Sequence, residues 1–449
     1  MLDIAIRGGT VVSATSETRA DVGISGERIA QVGEVGPARS DIDARGQLVL
    51  PGVVDMHTHL GQGIETMASG TRDAAAGGVT TVLAFAQQAA GESLLVAAQR
   101  AVDASGGALV DFAFHVIVTD PGEAAVAELP ELVRQGHAGL KVFMVTPQFS
   151  ARTADYLRLL QAAGQAGALT AVHAEDHAII ALRTRELLAA GKTGVRYFPE
   201  SRPVEAEEIA VQAALGYAAI AHAPIYLVHL SSRRAVEALR AGRARGVEAY
   251  GETRPLYLYL TREAFERSDG AIFVGQPPLR TADDQAAIWE ALADGTLATV
   301  GTDHFPHKRA DKLDPSLTFA TIRPGVANLR TLLPMLYSEG VHRGRISATR
   351  LVDLLCATPA RLAGLAPRKG AIAVGADADV VVLDPALTKT VRSVDLRSNA
   401  DHDAFDGWEV TGWPVVTIAR GEVVARDGEI VGQAGRGRFV PRARFTTTA

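Results

Sequence analysis

The feature that most constrains the fold is an alternation of short apolar runs with longer alanine-rich segments through the middle of the chain. Eight such runs follow one another: "GVVDMHTH", "VTTVLAF", "FAFHVIV", "GLKVFMV", "LTAVHAED", "IYLVHLS", "VEAYGET" and "LATVGTDH". Apolar runs joined by helical crossovers are typical of parallel strands buried on both faces. The pattern predicts an α/β fold, a TIM-like (β/α)8 barrel. A doubly wound dinucleotide-binding sheet is the alternative, but no G-x-G-x-x-G segment links a strand to a helix.

Both ends of the chain have a different character, with strand-like runs separated by turn residues. Examples are "DIAIRGGTVV" near the start and "PVVTIARGEVVARDGEIVG" near the end. Matching pieces at the two ends predict one small β-sandwich domain assembled from both termini. The predicted limits are 1–50 for the first part of the β-domain, 51–369 for the barrel, and 370–449 for the second part and the tail.

Composition excludes several classes of protein. The formal net charge is −6 with mixed signs, so the basic patch that nucleic-acid binding needs is missing. A single cysteine, Cys356, excludes disulfides within the chain and a thiolate metal cluster. Charge or glycine interrupts every apolar stretch well before the roughly 18 residues of a membrane span, and the first residues do not resemble a secretion signal. We therefore expect a cytoplasmic protein without nucleic-acid or membrane partners.

Polar residues interrupt the apolar runs, mostly at their carboxyl ends. They are His57, His59, Lys141, His173, His229 and Asp303. In a barrel the carboxyl ends of the strands share one mouth, where catalytic groups collect. Each residue alone has an ordinary explanation, as a hydrogen-bonded core histidine or a helix-capping aspartate. Six of them in one predicted ring indicate a functional site.

The residue types suit divalent metal ions. Zinc takes imidazole nitrogens and carboxylate oxygens. Four histidines and one aspartate are too many ligands for one open zinc ion and enough for two, about 3.5 to 4 Å apart. Burial and neighbouring cations would lower the pKa of Lys141, and its neutral amine could then take up carbon dioxide as a bridging carbamate. The alternative for Lys141 is a buried lysine paired with an acid.

An ordered set of motifs covers essentially the whole chain. It comprises "PGVVDMHTH", "GLKVFMV", "VHAED", "LVHLSS", "GQPPLR", "GTDH", "LYSEGVHRGRIS" and "GWEVTGWPVVTIARGEVV". Together these motifs resemble the dihydropyrimidinase and hydantoinase branch of the cyclic amidohydrolases, to which allantoinase and dihydroorotase are related. The resemblance implies two zinc ions or similar divalent metals, an N6-carboxylated lysine at Lys141, and a homo-oligomer, either a dimer or a tetramer.

The resemblance also implies roles for the six residues. His57, His59 and Asp303 would hold the buried metal, the other two histidines the more exposed one, and Lys141 both. A hydroxide bridging the metals would attack the carbonyl carbon of a cyclic ureide or imide. Asp303 would take the proton and pass it to the leaving ring nitrogen.

The chain departs from this family pattern where the substrate is expected. Thr146 stands in place of a tyrosine that helps to bind substrate and stabilise the oxyanion. Gln276 replaces a serine that touches substrate through its backbone. Pro324 replaces an asparagine, and proline has no N–H to donate. Phe149 is a candidate apolar residue of the substrate lid, with ordinary packing as the alternative.

Two arginines have alternative roles. Arg202 and Arg254 could bind an acidic substituent or make local ion pairs.

Three functions are compatible with the sequence. The first function is opening of a hydantoin or dihydropyrimidine, or an allantoinase-like reaction on another cyclic amide. The second is deamination, against which Lys141 argues, because mononuclear deaminases lack the bridging lysine. The third is a non-catalytic dihydropyrimidinase-related scaffold, against which the complete ligand set argues.

Overall fold

The computed structural model describes residues 1–446. The strands in this part of the chain are β1 (Leu2–Arg7), β2 (Thr10–Val12), β3 (Glu17–Arg19), β4 (Asp21–Ser25), β5 (Arg28–Gly33), β6 (Ala38–Asp43), β7 (Leu48–Pro51), β8 (Val53–Asp55), β9 (Val79–Gln87), β10 (Asp111–Ile117), β11 (Gly139–Phe143), β12 (Leu169–His173), β13 (Ile225–Leu227), β14 (Ala249–Thr253), β15 (Leu297–Val300), β16 (Val380–Thr390), β17 (Glu409–Ala419), β18 (Glu422–Arg426) and β19 (Glu429–Ile430).

The α-helices in the same residues are α1 (Met67–Ala76), α2 (Leu94–Asp103), α3 (Glu123–Arg134), α4 (Pro147–Ala151), α5 (Thr153–Ala166), α6 (His177–Ala189), α7 (Phe198–Ser201), α8 (Val204–Ala221), α9 (Arg233–Ala244), α10 (Pro255–Tyr259), α11 (Ala282–Ala293), α12 (Arg309–Lys312), α13 (Leu332–Met335), α14 (Ala348–Val352) and α15 (Thr358–Leu362). Short 3-10 helices cover Val195–Tyr197, Arg262–Glu266, Gly270–Phe273 and Ser393–Asp395, and π-helices cover Leu336–His342 and Asp353–Ala357. None of the helices in residues 1–446 has the length and apolar character needed to span a bilayer.

Strands β8 to β15 form one sheet in which each strand pairs with the next one along the chain. The pairing is parallel; in β11 and β12, for example, Lys141 lies opposite Ala171 and Phe143 opposite His173. Every residue of β12 is buried, as expected for a strand covered on both faces. Each of the eight predicted runs overlaps one of these strands, and the sheet is a nearly closed barrel. The predicted (β/α)8 architecture is confirmed.

The chain divides into two compact units. The first comprises Met1–Ala84, Ala104–Ala113 and Asn328–Val440. The second comprises Phe85–Asp103, Phe114–Ala327 and, within the described residues, 441–446. Strands β9 and β10 each pass from one unit into the other.

In the first unit, two additional sheets are built from both ends of the chain. One has the strand order β5-β4-β1-β6, and the other has the order β19-β18-β17-β16-β7-β2-β3. Strand β7 from the N-terminal part pairs antiparallel with β16 from the C-terminal part, with Leu50 opposite Val381. Ile6 and Ile24 of one sheet share a core with Val380 of the other. The predicted β-domain assembled from both termini is therefore present, while its numerical limits stay a prediction.

The first unit also contains a buried network of charges. The Lys369 ammonium lies 2.8 Å from Asp111, 3.1 Å from Asp377 and 2.7 Å from Asp379. Burial alone would lower the pKa of Lys369, but the three carboxylates raise it above the usual lysine range. Asp111 begins β10, whereas Asp379 directly precedes β16. The network therefore joins a barrel strand to a strand of the β-domain within this unit.

We predict that K369M strongly destabilises the protein, because it leaves buried carboxylates without their shared cation. Breaking a buried pair in this way costs about 3–5 kcal/mol, which urea unfolding would measure. The control is K192M, since Lys192 is 44% exposed and lies 3.7 Å from Glu200; its effect should stay within about 0.5 kcal/mol. Equal effects of the two substitutions would contradict a stabilising role for the network.

Candidate metal centre

The six predicted ligands all lie in or just after strands of the barrel sheet. Two follow β8, one lies inside β11, one ends β12, one follows β13 and one follows β15: His57 and His59, Lys141, His173, His229, and Asp303. Four of the six are buried and the other two, His59 and Asp303, are half-buried. Since the strands are parallel, their carboxyl ends lie on one side of the sheet. The role of these six residues as ligands stays a prediction.

Three of these residues form a group that could hold one metal ion. His57, His59 and Asp303 each offer a ligand atom, and these atoms all lie within 4.8 Å of one another. Nδ1 of His59 lies 2.8 Å from Oε1 of Gln62, so the nitrogen that remains for a metal is Nε2. The backbone N–H of His57 donates to Oδ1 of Asp55 over 3.1 Å, which fixes the chain where it leaves β8. Two imidazoles and a carboxylate are a suitable donor set for zinc.

A second pair of imidazoles converges within the second unit. Nδ1 of His173 and Nε2 of His229 lie 3.0 Å apart, with the rings edge to face. Zinc–nitrogen bonds are about 2.0–2.1 Å long, so one cation could bind both nitrogens after a small separation of the rings. Burial lowers the pKa of His173, which keeps the ring neutral as metal binding requires.

The outer nitrogen of His173 is held by a buried ion pair that the sequence analysis missed. Nε2 of His173 lies 2.7 Å from Oε2 of Glu175, and Arg202 donates to both oxygens of Glu175 over 3.0 and 2.6 Å. Burial alone would raise the pKa of Glu175, but Arg202 and His173 lower it to about 2. The ionised carboxylate accepts a hydrogen bond from the Nε2–H, so Nδ1 presents its lone pair. The arginine considered above for an acidic substituent is thus engaged by Glu175.

Lys141 is enclosed in the barrel. It is 0% exposed, and its Nζ has no hydrogen-bond partner among residues 1–446. Nζ lies 5.3 Å from the ring centre of Phe85 and 5.0 Å from that of Phe143. Burial lowers the pKa of Lys141 to about 8, although Asp303 and Glu252 oppose the shift. A buried amine whose pKa is lowered toward neutral pH and whose Nζ has no hydrogen-bond partner among the described residues fits a lysine that is carboxylated to bridge metals.

A cavity of about 600 Å³ opens at the carboxyl ends of β9, β10 and β11. Thr146 and Phe143 line it, together with Gln87, Thr119 and Gln148. The Phe143 ring lies 5.7 Å from that of His173, so the cavity is next to a predicted metal ligand. Its size suits a small ring with a substituent.

The predicted substrate residues have different surroundings. The Thr146 hydroxyl caps α4, because it accepts the Phe149 N–H over 3.3 Å and donates to the Phe143 carbonyl over 3.0 Å. Phe149 is buried, with its ring 4.8 Å from that of Tyr156, and it lines a separate apolar cavity of about 30 Å³. Their roles toward a substrate stay predictions.

The other two predicted substrate residues lie on loops that are bonded to each other. Gln276 and Pro324 are both half-buried. The Gly325 N–H donates to the Val274 carbonyl over 2.9 Å, which joins the two loops next to these positions. The Pro324 carbonyl accepts a bond from Nε2 of His307 over 3.0 Å. Both assignments stay predictions.

Comparison with known proteins identifies the family. A model described as the amidohydrolase family matches residues 48–424. The chain belongs to the amidohydrolase family. It is 37% identical to the D-hydantoinase of Ralstonia pickettii and 38% identical to that of Rhizobium radiobacter, in both cases over 99% of this chain and 100% of the relative. The solved dihydropyrimidinase of Brevibacillus agri NCHU1002 matches with a TM-score of 0.95 at 37% identity, over 100% of both chains.

These comparisons confirm the predicted family and the predicted class of enzyme, a hydrolase. A metal requirement fits this amidohydrolase, because the family is metal-dependent and the chain carries a possible metal-binding group. Glu175 could have been recognised from the sequence, because "VHAED" places a carboxylate two residues after the histidine that ends β12. Its partner Arg202 is 27 residues away, and no local pattern marks it.

We predict that E175Q weakens zinc binding about 10- to 100-fold, the usual loss when the group that orients a histidine ligand is replaced. The glutamine amide accepts a weaker hydrogen bond from the Nε2–H of His173 than the carboxylate does. It also leaves Arg202 without an ionised partner. Competition with a chromogenic chelator would measure the affinity. E186Q is the matched control, since Glu186 lies on the exposed face of α6 and pairs with Arg183 at 2.6 Å. Unchanged zinc affinity in E175Q would contradict the orienting role.

Proposed function

We propose that this amidohydrolase opens the C–N amide bond of a cyclic ureide or imide of the hydantoin or dihydropyrimidine type. The observation that carries the proposal is the enclosed Lys141 amine, which suits a metal bridge, in a chain that carries the His57, His59 and Asp303 group. The names of the relatives, D-hydantoinase and dihydropyrimidinase, support this reaction and this substrate class. A small ring fits the cavity beside Phe143.

The metal ions are proposed to be two zinc ions or a similar divalent pair. His57, His59 and Asp303 would hold one of them, the two histidines that end β12 and follow β13 the other, and carboxylated Lys141 both. When bound, such a pair supplies a Lewis acid for the amide oxygen and a nucleophile from water at neutral pH. Carboxylation joins the neutral Nζ to the carbon of carbon dioxide with loss of one proton, and it converts a neutral buried amine into an anion. An anionic ligand suits a site surrounded by dications.

Asp303 is proposed to move the proton. Its carboxylate would accept a proton from the attacking water and deliver it to the ring nitrogen as the C–N bond breaks. The atoms balance, because the hydroxyl group ends on the carbonyl carbon and the proton on nitrogen, which gives an N-carbamoyl acid or a related half-amide. Two nearby cations would keep Asp303 ionised, as a base must be.

Substrate contacts are proposed for the three departures from the family pattern and for the candidate lid residue Phe149. Thr146 lines the cavity, but its hydroxyl is bonded to backbone on both sides, so a contact to substrate would be made by its methyl group or by neighbouring backbone. Pro324 has no N–H, and its carbonyl already accepts from His307. Gln276 and Phe149 complete the proposed set. We also propose a homodimer or homotetramer, which light scattering on the purified protein would test.

We predict that zinc-loaded protein opens hydantoin, 5-substituted hydantoins or dihydrouracil. Chromatography of the products would test this on a panel that also contains allantoin, dihydroorotate and succinimide. Opening of hydantoins or dihydrouracil is the expected result. Activity on allantoin alone would shift the substrate class, and metal-loaded protein without activity on the whole panel would contradict the proposed function.

We predict that K141A abolishes ring opening and lowers the zinc content, because the bridging ligand is lost. Elemental analysis after dialysis would measure the metal, and the ring-opening assay the activity. K192A is the control, since Lys192 lies on the surface near Glu200. Full activity and full zinc content in K141A would remove the bridging role from the proposal.

A further inference from the structure

Arg254 makes an enclosed ion pair with Asp303. It follows β14 directly, and its Nη1 lies 2.8 Å from Oδ2 of Asp303. The side chains are 1% and 13% exposed, respectively. Among residues 1–446 Arg254 makes no other ion pair. Since the guanidinium is shut off from solvent, its route of action on the site is through Asp303 rather than by contact with a substrate.

The guanidinium is confined from two sides. It lies 5.7 Å from the ring centre of Tyr257, whose hydroxyl donates to the Pro277 carbonyl over 2.7 Å. On the other side is Gly275, where a Cβ would come within 3.0 Å of Nη1. The Nε and Nη2 atoms of Arg254 are buried and have no hydrogen-bond partner among the described residues. The surroundings thus fix the direction of the Nη1 donor.

The backbone brings the two residues together. The Gly301 N–H donates to the Thr253 carbonyl over 3.1 Å, which ties the end of β14 to the end of β15. Asp303 has φ of 48°, in the left-handed region that non-glycine residues rarely adopt. This conformation sets the direction in which the Asp303 side chain leaves the backbone.

We propose that Arg254 is the positioning residue of Asp303. Its enclosed contact with Oδ2, at 2.8 Å, holds the Asp303 carboxylate in the orientation that a metal ligand and base needs. The inference rests on the proposed function, in which Asp303 is both a metal ligand and the base.

The test uses the full-length protein and two readouts, the zinc affinity from chelator competition and the separate values of kcat and KM. R254M should weaken zinc binding and lower kcat, each by about 10- to 100-fold, with little change in KM because Arg254 does not touch the substrate. R254K should recover part of both losses, since it keeps a cationic donor. The control is R309M, which removes a partly exposed ion pair with Asp269 at 3.2 Å and should change neither readout.

A double-mutant cycle distinguishes positioning of Asp303 from a general contribution of Arg254 to the stability of the fold. In a D303N background, R254M should cause no further loss of zinc affinity, because the group that Arg254 positions is already gone. An equal loss in both backgrounds, or wild-type zinc affinity and kcat in R254M, would overturn the proposal. If circular dichroism shows R254M to be unfolded, R254Q takes its place in the same cycle. If wild-type protein opens no cyclic amide, the proposed function fails. The double-mutant cycle measured by zinc affinity still tests the role of Arg254.

Discussion

The parallel pairing of successive strands from β8 to β15 is the constraint on which the candidate site depends. Parallel neighbours all end on the same side, so residues that are far apart in sequence reach one mouth without any contact between their own segments. The same pairing buries the strands on both faces, and a polar side chain inside such a strand must find a partner or a function. Lys141 shows the consequence, because it lies within β11 with no hydrogen-bond partner for its amine among the described residues. The parallel topology thus brings the candidate ligands to one side of the sheet, and burial on both faces disfavours polar side chains there unless they have a partner or a function.

Much of the fold could be predicted, because its signals are local. Each of the eight apolar runs overlaps a strand, and the candidate ligands lie at or just after strand ends, except Lys141, which lies inside β11. Each histidine alone has an ordinary explanation, so it was the number of such residues in one predicted ring that made them candidate ligands. The short length of β8, only Val53–Asp55, was not foreseeable, since "GVVDMHTH" contains nothing to stop the strand before His57. There the chain turns where Asp55 accepts the His57 N–H.

The ion pairs that orient these ligands could not be predicted, because the partners come from different segments. Arg202 lies 27 residues from Glu175, and Arg254 lies on a different strand end from Asp303. From the sequence, both arginines were as compatible with an acidic substrate as with an ion pair. Burial decides between these alternatives, since each guanidinium is almost fully enclosed and already has its carboxylate. A buried cation without a partner would be far more costly than either arrangement.

The sequence indicates candidate metal ligands more directly than substrate contacts, and the reason is again physical. A metal ion binds side-chain atoms, and the residue type determines which ligand atoms are available. A substrate amide is recognised as much by backbone groups, and these depend on how each loop is bonded rather than on which residue it carries. Thr146 illustrates this. The sequence makes it a candidate substrate contact, yet its hydroxyl caps α4 and donates to the Phe143 carbonyl. In the proposed function, the Thr146 hydroxyl is engaged and Pro324 has no N–H, so recognition of the ring would depend on the cavity's other groups, among them the amide side chains of Gln87 and Gln148. A site built on hydrogen bonds discriminates between substrates more strongly than an apolar one, so this polar lining would weigh more than the missing tyrosine in the choice of ring.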